Sequence, residues 1–427
     1  MSAVKTIQPG GCSHAKNGEK DTDQSGNKKQ SDSAECPDCD RSAEKRSDHI
    51  VCSVHLELPQ SRRRKLILHL DLNNTILVSD AVTKQGTVAA LDYFLSTATW
   101  GRVNRQGSWE WLSDVPSLLP PCQGAVTYYS QFGRVQDFTG TAEGQRFRGV
   151  LKEHLSLLEW RGEEDEELAV RGEDGRLYHW ILPAFFQLLQ ALEFQHREFC
   201  VVFRTFGTDL ARVLGAVQRV LREGAHPLFT GLQALPMPLN PTPGRIRCSK
   251  KNVVLSRGSE RVSTRGDERS LYRYFSDLQG LGGFQDHFDW WAHNSYSNLG
   301  GKPIWIDPSD PEVQHIFIDD NIRLNDEDSI ITPKVFLGKE GTQTRTALTS
   351  ELYDVNLIQT DLLRAISDHN YFSKEGTQTR TALTSELYDV NLIQTDLLRA
   401  ISDHNYFSER IRICEENYEK YLNKEDG

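Results

Sequence analysis

The sequence predicts an α/β fold built on a mainly parallel sheet, and three strand patterns carry that prediction. Short, largely apolar runs at 66–70, 199–203 and 314–318 each lead into polar or turn-forming residues. Runs of this length, bounded by turn residues, are typical of strands that are covered on both faces in a parallel sheet. Ligands of such sheets bind at the carboxyl ends of the strands, so the residues that follow these runs are the first candidates for chemistry.

The residues at the three strand ends form an ordered set. The first run leads into Asp71-Leu72-Asn73-Asn74-Thr75, the second into Arg204-Thr205, and the third into Asp319-Asp320. Any buried strand must end in something polar, so one such run would be weak support for a site. Three runs that carry Asp, Thr and Asp-Asp in this order indicate that the strand ends share a function.

Length and charge restrict the class of protein. The 427 residues are enough for one large domain or two with a sizeable core. The 60 acidic and 49 basic residues give a formal charge of −11, which argues against a general nucleic-acid binder. The apolar stretches are too short to span a membrane, and none near Met1 resembles a signal peptide. We therefore expect a cytoplasmic protein with neither nucleic acid nor membrane among its partners, and with reduced cysteines.

The first 48 residues are polar and nearly free of large apolar side chains, so we expect residues 1–48 to be a disordered tail. The tail contains four residues that could bind zinc: Cys12, His14, Cys36 and Cys39. However, the first pair has a Cys-x-His spacing that is too tight for the usual zinc fingers, and no apolar residues would pack around the ion. A tail without metal is the preferred interpretation.

The core is predicted to comprise residues 64–80 and 177–338, with residues 81–176 inserted after the first strand. This insertion is far longer than one crossover helix requires. Apolar residues at helical spacing over 177–196, with Pro183 suited to a first turn, predict a helix, and 209–221 predicts another. Between 226 and 268 the chain is proline-rich and then basic, so we expect long loops or a small additional element.

The C-terminal region contains a perfect repeat, because residues 339–373 and 374–408 are identical over 35 positions. Repeat architectures need several copies, and natural repeats diverge, so two identical copies indicate a recent duplication or an error in assembling the coding sequence. Each copy carries one helical pattern, which in the first copy comprises Leu352, Val355, Leu362 and Ile366. We expect one copy to close the flank of the sheet and a helix to follow over 409–427.

The ordered strand ends resemble the motifs of the haloacid-dehalogenase-like superfamily, which consists mostly of magnesium-dependent phosphohydrolases. Its first motif, an apolar strand followed by Asp-x-Asp-x-Thr, is similar to the segment that begins at Asp71, with Asn73 in place of the second Asp. Its second motif, a strand ending in Thr or Ser, is matched by Thr205. The resemblance covers about residues 64–338 and implies a Rossmann-like core.

The remaining two motifs of the superfamily are a lysine and an acidic strand end. Lys302 is our candidate for the lysine. Lys250 and Lys251 are alternatives, but they lie in a basic, proline-flanked segment that we expect to be mobile. Asp319 and Asp320 match the acidic strand end. An insertion after the first strand forms a cap over the active site in this superfamily, which makes residues 81–176 a cap candidate; a purely structural insertion is the alternative.

The resemblance implies roles for these residues. Asp71 would be the nucleophile that forms an aspartyl-phosphate, and Thr205 and Lys302 would bind the phosphate. Mg²⁺ would be held by Asp71, the Asn73 carbonyl and Asp319, with Asp320 as a further or alternative ligand. The substrate would be a phosphorylated small molecule or a phosphoprotein.

Asn73 is the departure that divides two functional hypotheses. In the superfamily the Asp at this position protonates the leaving group and activates water, and an amide can do neither. The first hypothesis is a magnesium-dependent phosphohydrolase or phosphotransferase, slowed by Asn73. The second is a catalytically inactive relative that binds a phosphorylated ligand or a protein partner.

Overall fold

The computed structural model of the chain describes residues 64–79, 85–322, 329–338, 341–349, 387 and 389–425. The expected disordered tail with its four possible zinc ligands lies outside these residues. So does the helical pattern of the first repeat copy.

In chain order the strands are β1 (Lys65–Leu70), β2 (Trp100–Val103), β3 (Trp109–Trp111), β4 (Val126–Thr127), β5 (Ala169–Arg171), β6 (Leu177–His179), β7 (Phe199–Thr205), β8 (Gly244–Cys248), β9 (Val253–Arg257), β10 (Glu260–Ser263), β11 (Gly280–Gln285), β12 (Lys302–Ile306), β13 (Val313–Asp319), β14 (Ile331–Phe336), β15 (Thr344–Thr346) and β16 (Leu392–Gln394). The α-helices are α1 (Thr87–Ala98), α2 (Tyr128–Phe132), α3 (Arg148–Leu158), α4 (Pro183–Phe194), α5 (Leu210–Glu223), α6 (Arg269–Asp277), α7 (Phe288–His293), α8 (Leu397–Ser402) and α9 (Tyr406–Glu425). Short 3₁₀ helices lie at Phe138–Gly140, Gly144–Phe147, Thr230–Ala234 and Asn298–Gly300.

Eight of these strands form one large sheet in the order β10-β9-β8-β11-β7-β1-β13-β16. The strands from β8 to β16 in this order pair in parallel, and β8, β9 and β10 form an antiparallel extension at one edge. The prediction of an α/β fold with a mainly parallel sheet is therefore confirmed. Because β1 pairs in parallel with both β7 and β13, the carboxyl ends of the three predicted strands lie side by side.

Alternate residues of β1 pack on opposite faces of the sheet, as the pleat of a strand requires. Leu66, Leu68 and Leu70 join α4 and α5 in the largest apolar cluster. Ile67 packs on the other face with α6. This two-sided burial explains why β1 is almost continuously apolar and why the sequence pattern identified it.

The insertion after β1 packs against the sheet within the same apolar core. Leu91 of α1 and Leu155 of α3 belong to the cluster that contains Leu68 and Leu70. Both Asp92 carboxylate oxygens accept hydrogen bonds, from Phe138 N at 2.5 Å and from the backbone NH of the next residue at 2.9 Å. The insertion is thus continuous with the apolar core of the sheet.

Two local predictions differ from the structure. The helix expected over 177–196 begins only at Pro183, because Leu177–His179 forms strand β6 with β5 instead. The loops expected between 226 and 268 contain β8, β9 and β10. In β8 the arginines are exposed while Ile246 is buried, an alternation that was readable in Arg-Ile-Arg-Cys and that indicates a half-buried strand.

The described parts of the two repeat copies belong to different portions of the 35-residue unit. The first copy contributes 341–349, whose strand β15 pairs with β14. The second copy contributes 387 and 389–408, in which β16 pairs with β13 and Asn391 Nδ2 donates to His315 O at 2.8 Å. These stretches do not overlap when the copies are superimposed, and together they cover 30 of the 35 positions of the repeat. They also include strands, although the pattern predicted only a helix.

Deleting Leu352–Glu386 joins the two described portions into one exact copy of the repeat, and we expect the shortened protein to fold normally. The deletion removes none of the described contacts and shortens the connection between β15 and β16. Because loop closure costs less for a shorter loop, the free energy of unfolding should be unchanged or higher by about 1–2 kcal/mol. Urea unfolding followed by circular dichroism measures this.

A matched pair of substitutions provides the control for this deletion. Leu392 is fully buried in β16, and Leu357 occupies the equivalent position of the first copy. In the full-length chain Leu392→Asp should destabilise the fold strongly, whereas Leu357→Asp should leave its stability unchanged. Equal effects of the two substitutions, or loss of folded protein in the deletion variant, would contradict this use of the copies.

Candidate functional site

The site is built where β1, β7 and β13 end. Asp71 follows β1 directly, and its backbone NH donates to Ile318 O at 2.9 Å, which continues the pairing with β13. Asp319 is the last residue of β13, and Thr205 is the last residue of β7. All three side chains are at most 6% exposed. The parallel register therefore places the three predicted strand ends at one edge of the sheet.

Lys302 joins two of these strand ends through its ammonium group. Its Nζ lies 2.5 Å from Asp71 Oδ1 and 2.8 Å from Asp319 Oδ2, and Lys302 is 1% exposed. Lys302 begins β12, which lies in a separate three-stranded sheet with β14 and β15. The structure thus brings Lys302 to the site, whereas Lys250 and Lys251 lie exposed in the turn between β8 and β9.

Burial and charge act on this group in opposite directions. Burial raises the pKa of the Asp71 carboxyl to about 7, the Lys302 ammonium opposes that shift, and the Asp319 charge adds to it. Burial by itself would lower the pKa of Lys302, but the Asp319 and Asp71 carboxylates raise it above its ordinary value. Lys302 therefore stays charged at physiological pH and neutralises the carboxylates around it.

Asp319 and Asp320 are held by hydrogen bonds to neighbouring backbone and side chains. Asp319 Oδ1 accepts from Asn321 N at 2.8 Å. The backbone NH of Asp320 donates to the hydroxyl of the fully buried Thr75 at 3.1 Å, which ties the loop after β1 to the end of β13. These contacts explain why a Thr occurs four residues after Asp71.

The donor set fits a hard divalent cation. Carboxylate oxygens of Asp71, Asp319 and Asp320 all lie within 4.8 Å of one another. Mg²⁺ prefers oxygen ligands and is usually bound by one or two carboxylates together with phosphate and water. The cluster offers such ligands at the edge of the sheet where Lys302 supplies a positive charge.

Asn73 and Thr205 both have side-chain atoms close to Gly207. A Cβ atom added to Gly207 would lie 3.4 Å from Asn73 Nδ2 and 3.3 Å from Thr205 Oγ1. The Thr205 hydroxyl accepts from the Gly207 NH at 2.9 Å. Within the described part of the chain, the buried Asn73 Oδ1 atom has no hydrogen-bond partner. An acceptor in that state is ready to bind a donor from water or from a ligand.

Arg204 lies next to Thr205 but does not reach the site with its side chain. It is fully buried and forms two hydrogen bonds to Asp286, at 2.9 and 2.7 Å. Its backbone carbonyl lies 3.4 Å from Lys302 Nζ. Arg204 and Asp286 thus form a buried ion pair on the face of β7 opposite Thr205. Sequence reasoning did not identify Asp286, whose only signal is that it follows strand β11.

A chain of histidines continues from this ion pair. Arg204 Nη1 lies 3.3 Å from His69 Nδ1, His69 Nε2 lies 3.1 Å from His315 Nδ1, and His315 Nε2 lies 3.0 Å from Ser276 Oγ. Because an arginine can only donate, each histidine accepts at Nδ1 and donates at Nε2. Burial, with the charge of Arg204 as the second cause, lowers the pKa of His69, and burial lowers that of His315 to about 3.

Tyr93 on α1 belongs to the inserted segment. Burial raises its pKa, the neighbouring Tyr129 adds to that shift, and the charge of Asp320 makes the smallest contribution. The guanidinium of Arg134 lies 4.9 Å from the centre of the Tyr93 ring. Neither residue is marked by a sequence pattern, because contacts between the insertion and the core depend on tertiary structure.

No family model matches this chain, and neither the curated proteins nor the solved structures gave a match. Among the helices of the described residues, none combines the length and apolar character needed to cross a bilayer.

Replacing Asp286 with Ala should destabilise the protein by about 3–5 kcal/mol, because Arg204 would be left as an unpaired buried charge. Glu110→Ala is the matched control, since it breaks the Arg102–Glu110 pair (3.0 Å), whose side chains are 55% and 48% exposed. Exposed pairs contribute about 1 kcal/mol or less. Urea unfolding at pH 7 measures both, and equal costs would show that the Arg204–Asp286 pair does not support the fold.

The histidines give the fold a defined sensitivity to acid. Burial lowers the pKa of His179 to about 4 and that of His226 to about 3, as it does for His69 and His315. The unfolded chain takes up these protons below about pH 6.5 while the folded chain does not, so stability present above that pH is lost as the pH falls.

When the pH falls from 7.5 to 5.5, we expect each of these four histidines to lower the free energy of unfolding by about 1 kcal/mol. Urea unfolding at both pH values measures the loss, and His226→Phe should reduce it. An equal loss in wild type and variant would show that His226 does not bind its proton on unfolding.

Proposed function

We propose that this chain is a magnesium-dependent phosphohydrolase or phosphotransferase of the haloacid-dehalogenase-like superfamily, acting through an aspartyl-phosphate on Asp71. The observation that supports it best is the Lys302 ammonium 2.5 Å from Asp71 and 2.8 Å from Asp319 at the carboxyl edge of the sheet. A carboxylate nucleophile beside a fixed cation is suited to attack on a phosphoryl group, whose oxygens carry negative charge.

Each residue has a role in this proposal. Asp71 attacks phosphorus, and Lys302 neutralises the charge that develops on the phosphoryl oxygens. The Thr205 hydroxyl is a donor for one of those oxygens. Asp71, Asp319, Asp320 and the Asn73 carbonyl would hold Mg²⁺, which when bound reduces the repulsion between the phosphate and the carboxylates.

The insertion would act as the cap in this proposal. Leu91 and Leu95 of its helix α1 belong to the same apolar cluster as Leu70 and Leu72, the residues on either side of Asp71. A segment in that position excludes water and contacts the group attached to the phosphate. The proposed substrate is a phosphorylated small molecule or a phosphoprotein.

Asn73 supports a second candidate, a catalytically inactive relative that binds a phosphorylated ligand or partner. Asn73 occupies the sequence position at which the superfamily has the Asp that acts as its acid and base. General acid–base assistance is typically worth about 10²- to 10⁴-fold in rate, so its complete loss would leave little turnover.

Purified protein should release phosphate from an aryl phosphate when Mg²⁺ is present. Asp71→Asn should lower the rate by about 10³-fold or more, because the nucleophile is lost. Glu223→Gln, an exposed change at the end of α5, should have no effect. Phosphate release is measured with and without Mg²⁺, with circular dichroism to show that each protein is folded.

The same assay separates the two candidates. Turnover by wild type that disappears in Asp71→Asn supports the enzyme. A wild type that releases no phosphate, together with an Asn73→Asp variant that does, supports the inactive relative with an otherwise complete site. Failure of both proteins in the folded state would contradict the proposed chemistry.

A further inference from the structure

The antiparallel strands β8, β9 and β10 carry a concentration of positive charge at one edge of the large sheet. Residues 244–265, which we call the basic extension, contain seven basic residues and one acidic residue in a chain of formal charge −11. Six of the basic side chains are exposed: Arg245, Arg247, Lys250, Lys251, Arg261 and Arg265. The charge of the basic extension is thus opposite in sign to that of the whole protein.

Neighbouring carboxylates do not neutralise the exposed cations of the basic extension. Glu260, its one acidic residue, lies 3.4 Å from Arg257, whose side chain is buried. Within the part of the chain that the structure describes, no carboxylate forms an ion pair with any of the six exposed cations. Elsewhere on the surface, an exposed arginine such as Arg102 pairs with a glutamate, in this case Glu110. The basic extension therefore presents uncompensated positive charge to solvent.

The strand register places this charge on the same face of the sheet as Thr205. Gln285 of β11 pairs with Thr205 of β7 on one side and with Arg245 of β8 on the other. Side chains that are paired across strands point to the same face, so Arg245 and Thr205 share a face. Because neighbouring strands are about 4.8 Å apart, two spacings separate their backbones by about 10 Å.

The basic extension also projects past the edge of the sheet at which the candidate site lies. β8 is parallel to β11, and its first residue, Gly244, pairs with Phe284 near the end of β11. The rest of β8, including Arg247 and the turn that follows, therefore lies beyond the carboxyl end of β11. The Cys248 NH donates to His287 Nδ1 at 3.0 Å, which joins the end of β8 to the segment after β11.

We propose that the basic extension binds an acidic segment of a phosphoprotein substrate while the phosphorylated residue occupies the site at Asp71. This inference rests on the proposed phosphoryl-transfer function and narrows its substrate class to proteins. An extended peptide advances about 3.3–3.6 Å per residue, so the distance of about 10 Å corresponds to about three residues. The Asp or Glu that contacts Arg245 and Arg247 is therefore about three positions from the phosphorylated residue.

The charge of the whole protein favours a short acidic segment over a larger polyanion. A nucleic-acid duplex or a membrane surface would extend past the basic extension to acidic parts of the chain, which repel it at distances up to about 8 Å at physiological salt. Residues 244–265 contain no aromatic ring on which an unpaired base could stack. None of the large apolar side chains exposed in the described part of the chain lies in the basic extension, so it offers no such group to a bilayer.

The test compares two phosphopeptides of equal length, with Glu or with Gln three positions on either side of the phosphorylated residue. Wild type should have a kcat/KM about 10-fold higher for the Glu peptide, because each exposed ion pair contributes modestly. The double variant Arg245→Gln with Arg247→Gln should reduce this preference to about 1. The loss should be in KM, since contacts remote from phosphorus form equally in the bound and transition states.

A second double variant controls for net charge. Arg412→Gln with Lys420→Gln removes the same charge from exposed positions of α9 and should retain the preference for the Glu peptide. Raising the salt concentration should weaken the preference in wild type and in this control, because salt screens exposed charges. Circular dichroism verifies that every protein is folded.

A binding measurement complements the kinetics. The anisotropy of the fluorescently labelled Glu peptide reports its Kd for the Asp71→Asn protein, which does not turn the peptide over. Unlabelled duplex RNA and vesicles of phosphatidylserine and phosphatidylcholine are then added as competitors. The unlabelled Glu peptide should displace the labelled one at a lower concentration of negative charge than either competitor.

A preference for the Glu peptide that only the variant of the basic extension loses supports the inference. Equal kcat/KM values for the two peptides in wild type, or equal losses in both double variants, overturn it and leave the phosphatase proposal standing. Displacement by RNA or by vesicles at a lower charge concentration also overturns it, because the surface would then serve that polyanion. A folded wild type that hydrolyses neither the peptides nor an aryl phosphate overturns both proposals.

Discussion

The organisation of this protein depends on one buried contact, the Lys302 ammonium between the Asp71 and Asp319 carboxylates. The three groups come from different elements: the end of β1, the start of β12 and the end of β13. Removing such charges from water costs several kcal/mol per ion, and a buried ion pair is often no more stabilising than apolar residues of the same volume. The trio is therefore better explained by chemistry than by stability. This is the physical reason for treating the strand ends as a site.

The remainder of the polar interior supports that contact. Arg204 and Asp286 neutralise each other next to Thr205, and the Arg204 carbonyl lies 3.4 Å from Lys302 Nζ. His69 and His315 extend the network, each in the one tautomer that the arginine permits. Since a buried polar group without a partner is costly, this network fixes its members in single positions. The site is consequently held in one arrangement on the sheet side.

In the C-terminal region, the described parts of two identical repeat copies occupy different positions in the fold. The two copies are identical, so no local preference distinguishes them. The C-terminal helix α9 makes specific contacts beyond the repeat, including Glu415 with Arg197 at 2.6 Å and Glu419 with Arg64 at 2.7 Å. These contacts fix the second copy, which is continuous with α9, at the β16 position. The short hairpin from β14 brings the first copy into β15.

The sequence by itself determined the buried strands and the chemical character of their ends. A strand covered on both faces must be almost entirely apolar, so β1, β7 and the core of β13 were readable, as were Asp71, Thr205, Asp319 and the assignment of Lys302 ahead of Lys250. The sequence could not place Asp286 or Tyr93, because a polar residue after a strand or on a helix has the same local pattern whether or not it faces a site. Only the parallel register and the packing of α1 and α5 decide which of these groups meet. The local pattern of apolar residues indicates which segments are buried. Which side chains from distant segments lie close together is decided only when the chain folds.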